Sequence, residues 1–393
     1  MRRRCPQPER ERSPARSTLD SKGRVGEVCR VLSLPGRCER GTARAPVVDS
    51  FLFLASAFLC FAMHVAGARA SDYAIGADLS FVKSAEERGT VFKDAGGGIA
   101  GLRIFKNHGY NWIRLRLFHS PDRLPNNLEY TLAVAKDARK LGFKFLLDFH
   151  YSDTWADPAK QFIPKAWEGK SHSELVEAVR GYTQTNIAAF RDAGAPPDMV
   201  QIGNEIIHGF LWPDGKLPEH WENFAELLKA GIAGVDAGCV GAQRPQIMIH
   251  IDRGGDVKGT KAFFDKVESY SVDFDVIGQS YYPWWHGSLL DLRDNLAFMA
   301  ERYHKDIIVV ETAYNWRPAE YKQKPGPFLE TPDGQREFLE AVNQIVLNTP
   351  DRRGKGVFWW EPAVAPPRNS RSMFDNDGNA LPVLTVFDKW TKH

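Results

Sequence analysis

The chain has 393 residues, of which 43% are hydrophobic, 25% charged and 12% aromatic, with 11 Trp. This composition excludes a disordered, collagen-like or coiled-coil chain, and the length suits either two medium domains or one large α/β barrel. The formal charge of +2 averages two unlike parts: residues 1–70 carry 13 Lys+Arg against 6 Asp+Glu, a net of +7, which leaves −5 for residues 71–393.

In chain order, the basic part comes first. Residues 1–46 are rich in Arg, Pro, Ser and Gly and have no apolar period. Phe51 to Phe61 (FLFLASAFLCF) is an apolar run, followed by small residues ending in Ala68-Arg69-Ala70. A basic segment, a short apolar core and an A-x-A site describe a secretory signal peptide, with cleavage after Ala70. The run is short for a membrane span, although an uncleaved anchor or a buried helix is the alternative. Residues 1–70 are therefore predicted as a basic extension plus signal peptide, and 71–393 as one domain of a secreted protein. Four of the five Cys (Cys5, Cys29, Cys38, Cys60) fall in the leader, and Cys239 remains. A lone Cys makes no intrachain disulfide, and no Cys/His metal spacing occurs. The acidic mature chain argues against nucleic-acid binding.

From Tyr73 onward, short apolar runs alternate with longer amphipathic ones. Strands are predicted at 74–79, 112–118, 143–149, 199–204, 246–251, 275–281, 307–312 and 356–361. Several are apolar on both faces, as buried parallel strands are. The clearest helical patterns are 128–141, 173–193, 221–236, 288–303 and 335–347. Gly142, Gly194 and Gly238 stand where C-terminal caps belong. Eight strands alternating with helices fit a single (β/α)8 TIM barrel. A doubly wound sheet is the alternative, but no Gly-rich phosphate turn follows the first strand.

A barrel places chemistry at the C-terminal ends of its strands. Those ends read Asp78, Arg114 and Arg116, Asp148 and His150, Asn204 and Glu205, His250 and Asp252, Tyr281 and Tyr282, Glu311, and Glu361. Glu205 closes the fourth strand and Glu311 the seventh. A carboxylate ending an apolar strand is costly unless paired or working. Two of them pointing into one cleft are what glycoside hydrolysis requires: one to protonate the leaving oxygen, the other to attack the anomeric carbon or activate water. Either one alone could equally be a structural ion pair with a strand-end Arg. Asn204 is placed to bond a sugar 2-hydroxyl. Arg114 and Arg116 share a face, so one can pair with Glu311, and Tyr282 can donate to the same carboxylate. His150 reads as a sugar contact or a satisfied structural His.

The loops after these strands carry Trp155, Trp167, Trp212, Trp284, Trp285 and Trp316, and Trp359-Trp360 lie in the eighth strand. Indole rings stack on the flat C–H faces of sugars, so the expectation is a polymer-binding groove. Core packing is the alternative for Trp359, and is weak for Trp284-Trp285 in the loop YYPWWHG.

At these residues the chain resembles family 53 of the glycoside hydrolases, the endo-β-1,4-galactanases of clan A. The matching stretches are Gly76-Ala77-Asp78, Asn111 to Arg116 (NWIRLR), Asp148 to Pro158 (DFHYSDTWADP), Val200 to Ile206 (VQIGNEI), Ser280 to Pro283 (SYYP), Val310 to Tyr314 (VETAY) and Trp360-Glu361-Pro362. The resemblance implies a retaining mechanism with Glu205 as acid/base and Glu311 as nucleophile. It implies a subsite shell of Arg114, His150, Asn204, Tyr282 and Trp360, to which the strand-end and loop readings add Asp78, Trp155 and Trp285. The implied partner is β-1,4-galactan, the side chain of pectic arabinogalactan, or its galacto-oligosaccharides. The loop NWRPAEYKQKPGPF after the seventh strand lacks the calcium-binding cluster of some bacterial relatives, so no metal is expected there, and no cofactor. The segment Phe374 to Asn379 (FDNDGN) is expected to form a turn rather than a calcium loop. A monomer without a stable membrane span is expected. The competing readings are a hydrolase of another β-linked glycan, such as mannan or glucan, and a non-catalytic glycan-binding barrel.

Overall fold

A computed structural model describes residues 73–319, 324–364 and 369–390, all within one compact unit spanning Val65–His393. The predicted leader and its four Cys lie outside the described residues.

The barrel strands are β1 (Ala74–Asp78), β2 (Trp112–Leu117), β3 (Lys144–Phe149), β4 (Met199–Ile202), β5 (Gln246–Ile251), β6 (Val276–Tyr281), β7 (Asp306–Thr312) and β8 (Gly354–Trp359). Each pairs in parallel with its sequence neighbours, and β8 closes on β1 through Ala74↔Gly356 to Ala77↔Trp359. Closure rules out the doubly wound sheet. The helices are α1 (Val82–Glu87), α2 (Gly101–Asn107), α3 (Leu128–Lys140), α4 (His172–Asp192), α5 (Trp221–Gly238), α6 (Val257–Ser269), α7 (Leu289–Tyr303) and α8 (Pro332–Leu347). Of these, α1, α2 and α6 were not among the clear sequence patterns, and α1 and α2 are too short to show a period. Side-chain oxygens of Asn127, Ser171, Asp256, Ser288 and Thr331 cap five of the helices.

Gly142 and Gly194 follow α3 and α4 with φ of +74° and +71°, as predicted for caps. Gly238 corrects that reading. It is the last residue of α5, and a Cβ there would meet the Gln184 carbonyl oxygen at 2.7 Å on α4. Its smallness serves close helix packing, not the cap.

Strand alternation builds two layers inside the barrel. The lower one is apolar: Ala74, Trp112, Leu146, Met199, Met248, Val276, Ile308, Val310 and Phe358 form one buried cluster. Gly76 makes room for it, since a Cβ there would meet the Phe358 ring at 2.2 Å. Further along the strands, two residues on in β2 to β5 and four in β1, the inward side chains become charged or polar: Asp78, Arg114, Asp148, Gln201 and His250, all 0–2% exposed. The outward positions pack against the helices as the larger core.

Asp375 in FDNDGN accepts from the Asp377 and Asn379 amides at 2.9 and 2.8 Å and from the Asn379 side chain at 2.9 Å. Gly378 takes φ +82° there, so the segment is a tight turn, as expected. No described helix is long and apolar enough to cross a membrane.

Candidate active site

Arg114, fully buried, is the hub of the polar layer. Its Nη1 donates to Glu311 Oε1 at 2.6 Å and Asp78 Oδ2 at 3.2 Å. Its Nη2 donates to Asn204 Oδ1 at 2.7 Å and Gln201 Oε1 at 3.2 Å, and lies 2.8 Å from Asp148 Oδ2. Arg116 spans Asp78 Oδ1 at 2.9 Å and Glu361 Oε1 at 2.8 Å. A planar fork with five donors is what allows one cation to hold so many acceptors in fixed directions.

Glu311 owes its direction to a bulge. Ile308 and Val310 point into the barrel, so strict alternation would send residue 311 out towards the helices. Instead the β6–β7 register jumps from Gln279↔Val309 to Ser280↔Glu311. The extra residue returns Glu311 to the barrel mouth, a recognised use of bulges beside active sites. There it meets Arg114, and the Tyr282 hydroxyl donates to its Oε2 at 3.3 Å.

Glu205 arrives differently. Gly203 takes φ +79°, and Glu205 itself is left-handed at φ 49°, ψ 50°. Such a conformation costs a non-Gly residue about 1–3 kcal/mol and is a mark of functional sites. It swings the carboxyl across the mouth of β5 and β6, where Oε1 lies 2.6 Å from the Ser280 hydroxyl.

The two carboxyls differ electrostatically. Burial pushes Glu205 well above its ordinary 4.5, and Glu311 and Asp252 add to the rise. Burial raises Glu311 less far, because the Arg114 guanidinium opposes it. A group poised to give up a proton thus faces one with a cation held against it.

Both glutamates line one cleft of about 550 Å³, together with His150, Trp155, Asn204, Tyr282, Trp285 and Trp360. Asp78 and Arg114 do not reach it. Both lie under the floor, Asp78 accepting from both arginines and the Ser80 amide. Their side chains support the floor of the site, and neither is among the residues lining the cleft, unlike the other predicted contacts. His150 Nδ1 accepts from the Ala156 amide at 3.1 Å, and Nε2 lies 3.0 Å from Asp148 Oδ2 without an aligned hydrogen bond.

The predicted aromatic residues divide between the cleft and the core. Trp155, Trp285 and Trp360 line the cleft, with Arg116 stacked 4.4 Å from the Trp155 ring centroid and Arg371 4.8 Å from Trp360. Trp285 is 55% exposed. Its neighbour Trp284 is buried and stacks on Tyr314 at 5.4 Å. Trp167 and Trp359 are buried in the core, and Trp212 and Trp316 are not among the residues lining the cleft. Pro/Gly-bounded loops can be packed, so composition alone did not separate Trp284 from Trp285.

Sequence reasoning gave no role to Ser280, Gln201, His286 or Arg371. Asp252, noted only as a strand end, also faces the cleft; burial raises its carboxyl to about 6. Gln201 lies two residues beyond the inward-facing Met199 and Ser280 two before Tyr282, so strand alternation was an available signal for both. Arg371 comes from the segment beyond β8 and had none.

A barrel whose polar mouth holds two buried, unequally raised carboxyls between aromatic walls is the architecture of a glycoside hydrolase. The family is fixed by comparison. The model of glycosyl hydrolase family 53 matches residues 74–387, and the chain belongs to that family. An uncharacterized protein of Niallia circulans is 44% identical over 337 residues, covering 80% of this chain and 90% of the relative. An arabinogalactan endo-β-1,4-galactanase of Thermothelomyces thermophilus is 35% identical, covering 80% and 98%. A solved structure of fungal β-1,4-galactanases superposes with a TM-score of 0.75 at 34% identity, covering 80% of this chain and 99% of that one.

Proposed function

We propose that this enzyme is a secreted, retaining endo-β-1,4-galactanase acting on the galactan side chains of pectin, with Glu205 as acid/base and Glu311 as nucleophile. The observation that carries the reading is the pair itself: two carboxyls from β4 and β7 in one cleft, one pushed towards its acid form, the other held by Arg114 and Tyr282. The substrate follows from the relatives named as arabinogalactan endo-β-1,4-galactanases.

In this mechanism the Glu205 proton goes to the leaving glycosidic oxygen while Glu311 Oε2 attacks the anomeric carbon. The Glu205 carboxylate then takes a proton from the water that releases the glycosyl ester. Arg114 engages Glu311 Oε1, and Oε2, which accepts only the longer 3.3 Å bond from Tyr282, keeps a lone pair for attack. Asn204 commits one amide hydrogen to the Ala156 carbonyl at 2.9 Å and keeps a second for the sugar 2-hydroxyl. Trp155, Trp285 and Trp360 supply stacking faces, and His150 and Tyr282 border the same sugar.

Release of reducing ends from lupin or potato galactan, compared with mannan and xylan, tests the substrate. Turnover of galactan is expected, and its absence overturns the reading. Glu311→Ala is expected to abolish turnover while circular dichroism stays unchanged; a near-normal kcat would reassign the nucleophile.

A further inference from the structure

His250 and Ser280 sit behind Glu205, and neither enters the mechanism above. Ser280 Oγ lies 2.9 Å from His250 Nε2 and 2.6 Å from Glu205 Oε1, while His250 Nδ1 lies 3.1 Å from Asn204 Oδ1. Both His250 and Ser280 are fully buried.

The hydrogens in this chain can be counted. The Asn204 amide cannot be flipped, because its Nδ2 faces the Ala156 carbonyl oxygen and its Oδ1 faces the Arg114 guanidinium. Oδ1 is an acceptor, so His250 Nδ1 must carry the hydrogen. Neutral His250 then offers a bare lone pair at Nε2, and the partner there is the Ser280 hydroxyl. That hydroxyl has one hydrogen. If it goes to Nε2, Ser280 presents a lone pair to Glu205, and the short contact is satisfied only when Glu205 brings its own proton. If Glu205 is ionised, the hydroxyl must turn to the carboxylate, and Nε2 loses its donor in a dry site. An unmade hydrogen bond of a buried group is expensive.

We propose that His250 and Ser280 form a positioning pair that biases Glu205 towards its protonated form and holds its carboxyl in the direction of the leaving oxygen. The proposal rests on Glu205 being the acid/base. No proton passes to His250. When Glu205 gives its proton to the leaving oxygen, the Ser280 hydroxyl turns from Nε2 to the new carboxylate, and it turns back when water restores the proton. His250 stays neutral, since burial foremost, with Arg114, His150 and His286 around it, keeps its pKa well below the ordinary value. The charged and titratable groups facing Glu205 include Glu311, Asp252, Arg114 and Tyr282.

The test separates this from the plain alternative, in which Ser280 is a simple donor to a Glu205 carboxylate. A simple donor lowers the carboxyl pKa, so Ser280→Ala would raise it. The relay predicts the opposite: in Ser280→Ala the protonated form loses its acceptor, and the alkaline limb of the kcat/KM–pH profile on galactan moves down by about one unit. His250→Asn keeps a donor at the Nδ1 position and removes the Nε2 lone pair. It frees the hydroxyl for the carboxylate, and its limb also moves down by about one unit. In Ser280→Ala/His250→Asn the second substitution adds nothing. The Glu205 titration is also to be followed by carboxyl ¹³C NMR, assigned by its loss in Glu205→Gln. This needs no turnover, so failure of the relay is distinguished from failure of the galactanase reading. Downward shifts in both single variants support the pair. An upward or absent shift in Ser280→Ala, or loss of activity in His250→Asn without any shift, overturns it.

Discussion

Arg114→Met removes the cation at the centre of the barrel mouth while conserving much of its volume. It strips the paired cation from Glu311 at 2.6 Å, Asp148 at 2.8 Å and Asp78 at 3.2 Å, and leaves Asn204 Oδ1 without its 2.7 Å donor. Removing one partner of a buried ion pair costs about 3–5 kcal/mol, a large part of the ~5–15 kcal/mol that holds a typical domain. The loss should depend on pH with a definite sign. Although burial raises the Asp78 carboxyl, Arg116 and Arg114 outweigh it and hold it below its ordinary 3.8. A group depressed in the folded state contributes stability that is full above its unfolded pKa and is lost as pH falls through the folded one. The Asp78 share of the gap between wild type and Arg114→Met should therefore be full at pH 7 and narrow below about pH 4, while the Glu311 share narrows at higher pH, where that raised carboxyl takes up its proton. Catalysis supplies a second readout. Without Arg114 the Glu311 carboxyl rises further, so the acidic limb of the kcat/KM profile moves to higher pH. Urea unfolding across pH and pH–rate profiles make both measurements. A stability loss under about 1 kcal/mol at pH 7, together with an unmoved acidic limb, would refute the hub role of Arg114.

Glu205→Ala should lower turnover of galactan by about 10²–10⁴-fold but spare aryl galactosides whose leaving group needs no proton; equal losses on both, measured by initial rates, would argue against the acid role. Trp285→Ala, at a 55% exposed ring, should raise KM for galactan while unfolding within about 0.5 kcal/mol of wild type by denaturant titration. Gly76→Ala should destabilise by about 1–3 kcal/mol, because its Cβ collides with Phe358, and should do so with little change in kcat/KM; calorimetry and initial rates check the two parts.

The barrel was legible because its strands are apolar on both faces, so β2, β3 and β5 declared themselves within a residue or two of their ends. The two glutamates were legible because each interrupts that apolarity at a strand end. The shared face of Arg114 and Arg116 followed from period two, and Arg114 did prove to be the partner of Glu311. What failed was depth. Asp78 ends its strand like Glu311, yet two arginines pull it under the floor, and a sequence does not show how far a side chain stands above its barrel layer. Trp284 and Trp285 are adjacent and identical, and only the stack on Tyr314 decides which one packs inward. Arg371 joins the cleft from a segment far along the chain, a long-range contact with no local signature.

The bulge in β7 carries a consequence for how this enzyme can be damaged. The facing of Glu311 is set by a residue count and not by any side chain. Deleting Val309 and Val310 together would leave the strand apolar, yet it would set Glu311 next to the inward-facing Ile308 and so hand the carboxylate to the helices. Point substitutions at most positions of β7 would spare that parity. A two-residue in-frame deletion here is thus the change that would turn Glu311 away from the cleft without adding a polar residue to the strand, whereas loss of a single residue would only straighten the bulge.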